Sequence, residues 1–437
     1  MMFLNNNNKE EANIIYIFLS MVSWGLLVSI YTAPVFTTHI AIVSVVIALL
    51  NMNRVTLGLS LLFFMSPILG VGFFLIGASL PAYLMCVALG SLVLGIPFFL
   101  QKNILRPLAV MATLVVLFVL WYLIGPRHGY STNKLINVSV FGFVTLLGMK
   151  YIIERNDIQY ARIAQLLGLI SITYICIGID IFQTSRPYGI LDFAYIRDSY
   201  MQIVNAGLEL PFTYHSIGVT AMIGIAYLAC RQKMQMNIFW VAQSVLFLLI
   251  LVVISQARQA LLGTIILIVT RLLLQKSSLA IRVLMASGII VFAIWGIASL
   301  SKDSTAYETS SHGSSVEEVV NRDYDDAYEM IITNLAVGTG FGGYSRTGER
   351  EYPHNILLEL LCEMGIIGTF LVIIVTCIPI LHQRKRWFSL TRSGTFFCIL
   401  IIPYTMRAMA SGDLITNVIL LSMLIIFAQE KRSNFHQ

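Results

Sequence analysis

The sequence predicts an all-α, polytopic integral membrane protein, with about 12 to 14 transmembrane helices and one large outer loop that holds a further helix. Three observations predict it. Hydrophobic residues make up 57% of the chain and charged residues only 11%, with a mean hydropathy of +0.82; a soluble domain carries roughly a quarter charged residues. Apolar runs of roughly 20 residues recur between Ile14 and Phe427, each long enough to cross a hydrocarbon core of about 30 Å. Lys and Arg concentrate in alternate connecting segments, as the inside-positive bias requires.

Taken in order, the polar, Asn-rich lead Met1–Glu11 has no basic n-region and no small-residue cleavage site, so no cleaved signal peptide is expected. Apolar runs then place helices near 14–32, 35–50, 57–76, 80–100, 107–125, 137–153, 163–182, 212–230, 237–254, 258–274, 282–300, 355–381, 394–410 and 414–429. With the N-terminus inside, about 18 of the 28 basic residues fall on the inner side. His382–Arg392, reading HQRKRWFSLTR, is the clearest inner loop. The net charge of +6 is therefore a topology signal and not a nucleic-acid footprint. All six cysteines lie in apolar segments, so neither a disulfide framework nor a metal site is implied.

Two outer loops are long, Gln183–Pro211 and Ser301–Pro353. In the second, Ser315-x-x-Glu318 reads as a capping box. Val320, Tyr324, Ala327, Tyr328, Ile331 and Leu335 then recur at helical spacing. The cluster Gly338-Thr339-Gly340-Phe341-Gly342-Gly343 ends that helix. No strand precedes it and no GK[ST] follows, so it reads as a turn needing positive φ and not as a phosphate loop. Organisation follows as a bundle over 1–300 with its loop near 183–211, a large loop over 301–353, and C-terminal helices over 354–437.

Titratable groups gather on the outer side. His354 and Asn355, after Tyr352 and Pro353, open a long apolar helix whose first turn exposes unpaired N–H groups. An imidazole there can take a proton from a hydroxyl, or simply sit at the interface. Arg258, between two apolar runs joined with almost no loop, is either a diphosphate partner or a snorkelling anchor. Arg322 lies between Glu318 and Asp326 on the loop helix, where an ion-pair ladder competes with a functional role. Arg407 near Asp413, and His215 after Tyr214, each have a structural and a ligand-binding reading, the structural one being the commoner for a lone interfacial His. Glu359 and Glu363 must face protein, water or a partner so far into an apolar helix, and either orient the His, accept a sugar hydroxyl or pair with arginines. Gly365 and Gly368 are expected to permit close helix packing.

These stretches together resemble the O-antigen ligase and O-antigen polymerase family. Its His-[Asn/Ser/Gln]-x9-Gly-x-x-[Gly/Thr/Tyr] pattern reads here as His354, Asn355, nine residues from Ile356 to Met364, then Gly365 and Gly368. Its Ser/Thr-x-x-Arg-x-x-x-Leu pattern is matched by Ser255, Arg258 and Leu262. Arg322, the helix after it and Gly338/Gly340 follow the family's order, with a departure at Asp326. The motifs cover about residues 250–370.

The resemblance implies a glycosyltransferase of the bacterial inner membrane, facing the periplasm and working on undecaprenyl-diphosphate-linked glycans without nucleotide sugar, metal or other cofactor. It implies catalytic roles for His354, Arg258 and Arg322, and substrate contacts at Asn355, Arg407, His215, Glu359 and Tyr352. The implied partners are the lipid-linked oligosaccharides, the bilayer and a chain-length regulator, with no nucleic acid. The sequence around Tyr352–Gly365 looks more like a polymerase than a ligase. A flippase or transporter is the rival class, but paired half-repeats and helices broken near the midplane are not evident in the sequence.

Overall fold

The computed structural model describes residues 6–32, 37–50, 105–153, 157–181, 214–229, 238–255, 257–273, 316–347, 352–353, 355–382, 392–410 and 413–429. The described residues are helical, and no strand occurs among them. In chain order the helices are α1 (Asn6–Thr32), α2 (Thr37–Leu50), α3 (Leu105–Ile124), α4 (Gly129–Ile153), α5 (Asp157–Ile181), α6 (Tyr214–Ala229), α7 (Ile238–Ile254), α8 (Arg258–Leu273), α9 (Val316–Thr333), α10 (Tyr344–Thr347), α11 (Ile356–His382), α12 (Arg392–Ala410) and α13 (Leu414–Gln429). Within the described residues, three helices have stretches long and apolar enough to cross a membrane: Leu105–Ile124, Ile163–Asp180 and Ile356–Thr376. The chain is an all-α membrane protein.

The helices expected near 57–76, 80–100 and 282–300 lie outside the described residues. The other eleven expected spans match described helices, most to within two residues, but α5 begins at Asp157, six residues before the expected start, α1 at Asn6, eight before, and α4 at Gly129, also eight before. Its polar opening, Gly129–Lys134, hides that start from a hydropathy reading. Compactness groups the chain differently from consecutive sequence segments. One unit comprises Met1–Gly90 with Tyr151–Arg271, and the other Ser91–Lys150 with Leu272–Gln437.

In the first unit α5 is the central helix and packs against α1, α2, α6 and α7. Almost every side chain from Ile163 to Ile179 is buried, as expected of a helix apolar all round. Its few polar groups are satisfied locally or across helices. Ser171 and Thr173 return their hydroxyls to the carbonyls of Leu167 and Leu169 at 2.9 and 2.8 Å. Gln165 bonds Ser244, while Gln243 joins Trp24 and donates to Ser20 at 2.8 Å. Such contacts join helices where water cannot compete.

Close packing in this unit depends on missing side chains. A Cβ on Gly218 of α6 would lie 2.4 Å from Ser255 Oγ and 2.8 Å from Ala257 Cβ. The start of α6 therefore sits directly on the junction between α7 and α8. Gly25 of α1 has open space around it. We expect Gly218→Ala to lower stability by about 1–3 kcal/mol through overpacking, and Gly25→Ala to be neutral or stabilising by about 0.5–1 kcal/mol. Thermal melts of both variants in detergent check the contrast.

Candidate active site

In the second unit α11 is the central element, touching α3, α9, α10, α12 and α13. Its first residues explain the His-Asn motif in part. Asn355 is the N-cap: its Oδ1 accepts the N–H groups of Leu357 and Leu358 at 3.0 and 3.3 Å. Its Nδ2 donates to the Met409 carbonyl at 3.3 Å, which ties the cap to the end of α12. Pro353 therefore precedes the cap and lies outside the helix. His354 lies outside the described residues. On either side of it, Tyr352 and Asn355 are half-buried, and Tyr352 stands within electrostatic reach of Arg407. Arg407, half-buried near the end of α12, has Tyr404 and Asp413 within the same reach.

Gly365 is where α11 breaks. Its φ of 61° and ψ of −170° are not helical and belong to a region essentially restricted to glycine. The break leaves two donors and two acceptors without their usual partners, and the turn after α9 takes all four. Ile366 N donates to Leu335 O at 2.9 Å and Ile367 N to Ala336 O at 3.1 Å. In return Thr339 N donates to Cys362 O at 2.9 Å and Gly340 N to Glu363 O at 2.8 Å. The expected positive φ of the glycine cluster is present at Gly338, Gly340 and Gly342. A Cβ at Gly338 would collide with Glu363 backbone at 2.5 Å, and one at Gly340 with Gly125 Cα at 2.2 Å. Gly368 does permit close packing as expected: its bare face lies on the Trp121 indole, whose Nε1 donates to Val337 O at 2.8 Å.

Beneath the cap lies a buried ion cluster. Lys134 of α4 reaches Glu363 at 2.6 and 2.7 Å and also contacts Glu359. Glu359 accepts Leu414 N at 3.2 Å, and Tyr130 donates to Asp413 at 3.1 Å. All three members of the central triad are almost fully buried. Lys134 Nζ also stands 5.1 Å from the centre of the Phe341 ring and 5.7 Å from that of Tyr130, within cation–π range. His128 adds a contact from Nε2 to Gly342 O at 3.0 Å. Glu359 is thus seated in the interior with a lysine, and not with an arginine, as its partner.

Sequence reasoning passed over Lys134, Tyr130, His128 and Trp121. The available signal was the position of Lys134: a lysine at the outer end of an apolar run runs against the inside-positive bias, the same clue that singled out Arg258. Arg258 is the first residue of α8 and His215 the second of α6. Gly218 packs on Ser255 and Ala257, so these two helix starts lie together in the first unit. Arg322 lies on α9, in the second unit.

Residues 243–373 match the family model described as O-antigen ligase. The match spans less than a third of the chain, and over those residues the chain is similar to that family. The matched stretch begins in α7 and ends in α11, so it includes Arg258, Arg322, the glycine turn and the whole His354–Gly368 motif. No curated protein matches the chain. The matched stretch includes the start of α11, which is the candidate active site.

Two outcomes follow from the geometry. Lys134→Met leaves two buried carboxylates without their cation, which costs about 3–5 kcal/mol; adding Glu359→Gln and Glu363→Gln should recover most of it, as read by thermal melts of the single and triple variants. Gly365→Ala forces a side chain into a glycine-only conformation, costing about 1–3 kcal/mol from the backbone alone. Faster proteolysis at the 334–343 turn should accompany the loss.

Proposed function

We propose that the chain is a glycan polymerase. It would transfer an undecaprenyl-diphosphate-linked chain onto a lipid-linked repeat unit at the periplasmic face of the bacterial inner membrane. The acceptor hydroxyl oxygen attacks the anomeric carbon of the donor, the bond from that carbon to the diphosphate breaks, and the lipid diphosphate leaves with both electrons. The donor's own diphosphate linkage supplies the driving force, so neither nucleotide sugar nor metal is required.

His354 takes or orients the acceptor proton. Arg258 and Arg322 offset charge on the departing diphosphate, the form of electrostatic stabilisation that acts where charge develops. Tyr352, Arg407 and His215 contact the substrate. Asn355 and Glu359 act through the frame, as cap and as ion-cluster member. The carrying observation is that Asn355 donates to the Met409 carbonyl near the end of α12, where Arg407 has Tyr352 and Asp413 within electrostatic reach.

A second reading, transfer of finished glycan to lipid A–core, is supported by the description of the matched family, which is that of a ligase. Gel analysis of the surface glycan separates the two. In a deletion strain, single repeats on core indicate a lost polymerase, whereas lipid-linked polymer with bare core indicates a lost ligase. Complementation with His354→Ala or Arg258→Ala should reproduce the deletion pattern at normal membrane levels of protein. Wild-type chain lengths in both variants would sink the enzymatic reading.

A further inference from the structure

Helix α9 carries a surface that the proposed reaction does not use. Ala327 and Met330 are buried with Tyr344 and Cys362, which fixes the inward side of the helix. The outward side divides along its length. Tyr328, Ile332 and Leu335 follow one another at i, i+4 and i+7 and are exposed, Ile332 by 77%. Beside them, on the adjoining flank, Asp325, Glu329 and Thr333 are exposed too. A helix in water rarely shows a contiguous apolar strip, whereas a helix lying at a membrane surface is divided in this way.

The structure also indicates what covers the apolar flank. Leu335 and Ala336 give their carbonyls to Ile366 and Ile367 of α11. The side chains of Ile366 and Ile367 are exposed, followed along α11 by Phe370 and Ile373, with Phe370 at 60%. Ile356–Thr376 is long and apolar enough to cross a membrane, so its exposed apolar stripe faces hydrocarbon. The chain just after α9, at Leu335 and Ala336, therefore meets α11 where that stripe begins.

We propose that α9 is an interfacial helix. Its Tyr328–Ile332 flank, with Leu335 of the turn that follows, is buried among lipid acyl chains at the edge of the bilayer, and its Asp325–Glu329–Thr333 flank faces water. The loop helix is then held at the membrane surface instead of standing free in solution. This inference rests on the membrane reading of the chain alone, so it stands or falls independently of the reaction proposed above.

The test uses the full chain, with its native cysteines replaced, in nanodiscs of phosphatidylethanolamine and phosphatidylglycerol. Spin labels are placed singly through Tyr328→Cys, Glu329→Cys, Ile332→Cys and Thr333→Cys, all at exposed positions. Relaxation by oxygen, which partitions into lipid, is compared with relaxation by a water-soluble nickel chelate. A ratio of oxygen to nickel accessibility several-fold higher at 328 and 332 than at 329 and 333 supports the proposal. Nickel access at all four positions, meaning a solvated helix, overturns it. So does exclusion of both reagents at 328 and 332, meaning that protein covers the flank.

Discussion

A helix inside a bilayer cannot leave backbone groups unpaired, because no water is present to replace the lost hydrogen bonds. The break at Gly365 creates that problem and the turn after α9 resolves it. Two carbonyls and two N–H groups released by α11 are taken, one for one, by Leu335, Ala336, Thr339 and Gly340. The turn in turn depends on glycine at 338 and 340, since any Cβ there would meet backbone of α11 or of Gly125. The outer loop, the motif-bearing helix and the end of α3 are thereby one piece of structure. A polar loop can approach a membrane helix this closely because the helix opens to receive its hydrogen bonds.

The ion cluster is the second tie and acts on the same parts. Lys134 faces Glu359 and Glu363, and both Lys134 and Arg407 lie within electrostatic reach of Asp413. A buried charged group of this kind is weak as a source of stability but severe when one member is removed. It therefore specifies one arrangement of α4, α11 and the α12–α13 corner. Phe341 against Lys134 extends that specification to the glycine turn.

Much of this was legible in the sequence, for identifiable reasons. Apolar runs located the helices because burial in lipid imposes length and hydropathy on each span by itself. The loop helix and its terminating glycines were legible because caps and positive φ are local. What stayed hidden was tertiary. Tyr328 and Leu335 have the spacing of a buried stripe yet are exposed, and Met330 takes the inward position; periodicity gives the width of an apolar face but not which part of it meets protein. Lys134 was hidden in a polar lead that reads as a connecting loop. Gly365 lies in a run that reads as continuous helix, and only its φ separates a break from a packing contact.

The spacing of the family motif has a mechanical meaning in this frame. Asn355 caps α11 and Gly365 breaks it ten residues later, a rise of about 15 Å. Glu359 and Glu363 fall between them on successive turns, on one face, where a single lysine meets both. Gly368 follows about one turn beyond the break, where its missing side chain admits Trp121. One residue more or fewer would rotate the cap by about 100° against the break. The Asn355 bond to Met409 O and the docking of the 334–340 turn could not then both form. The interval from Asn355 to Gly368 is thus set by the scaffold, through cap, cluster, break and packing in order. His354 directly precedes this interval and is the motif member for which the chemistry is proposed.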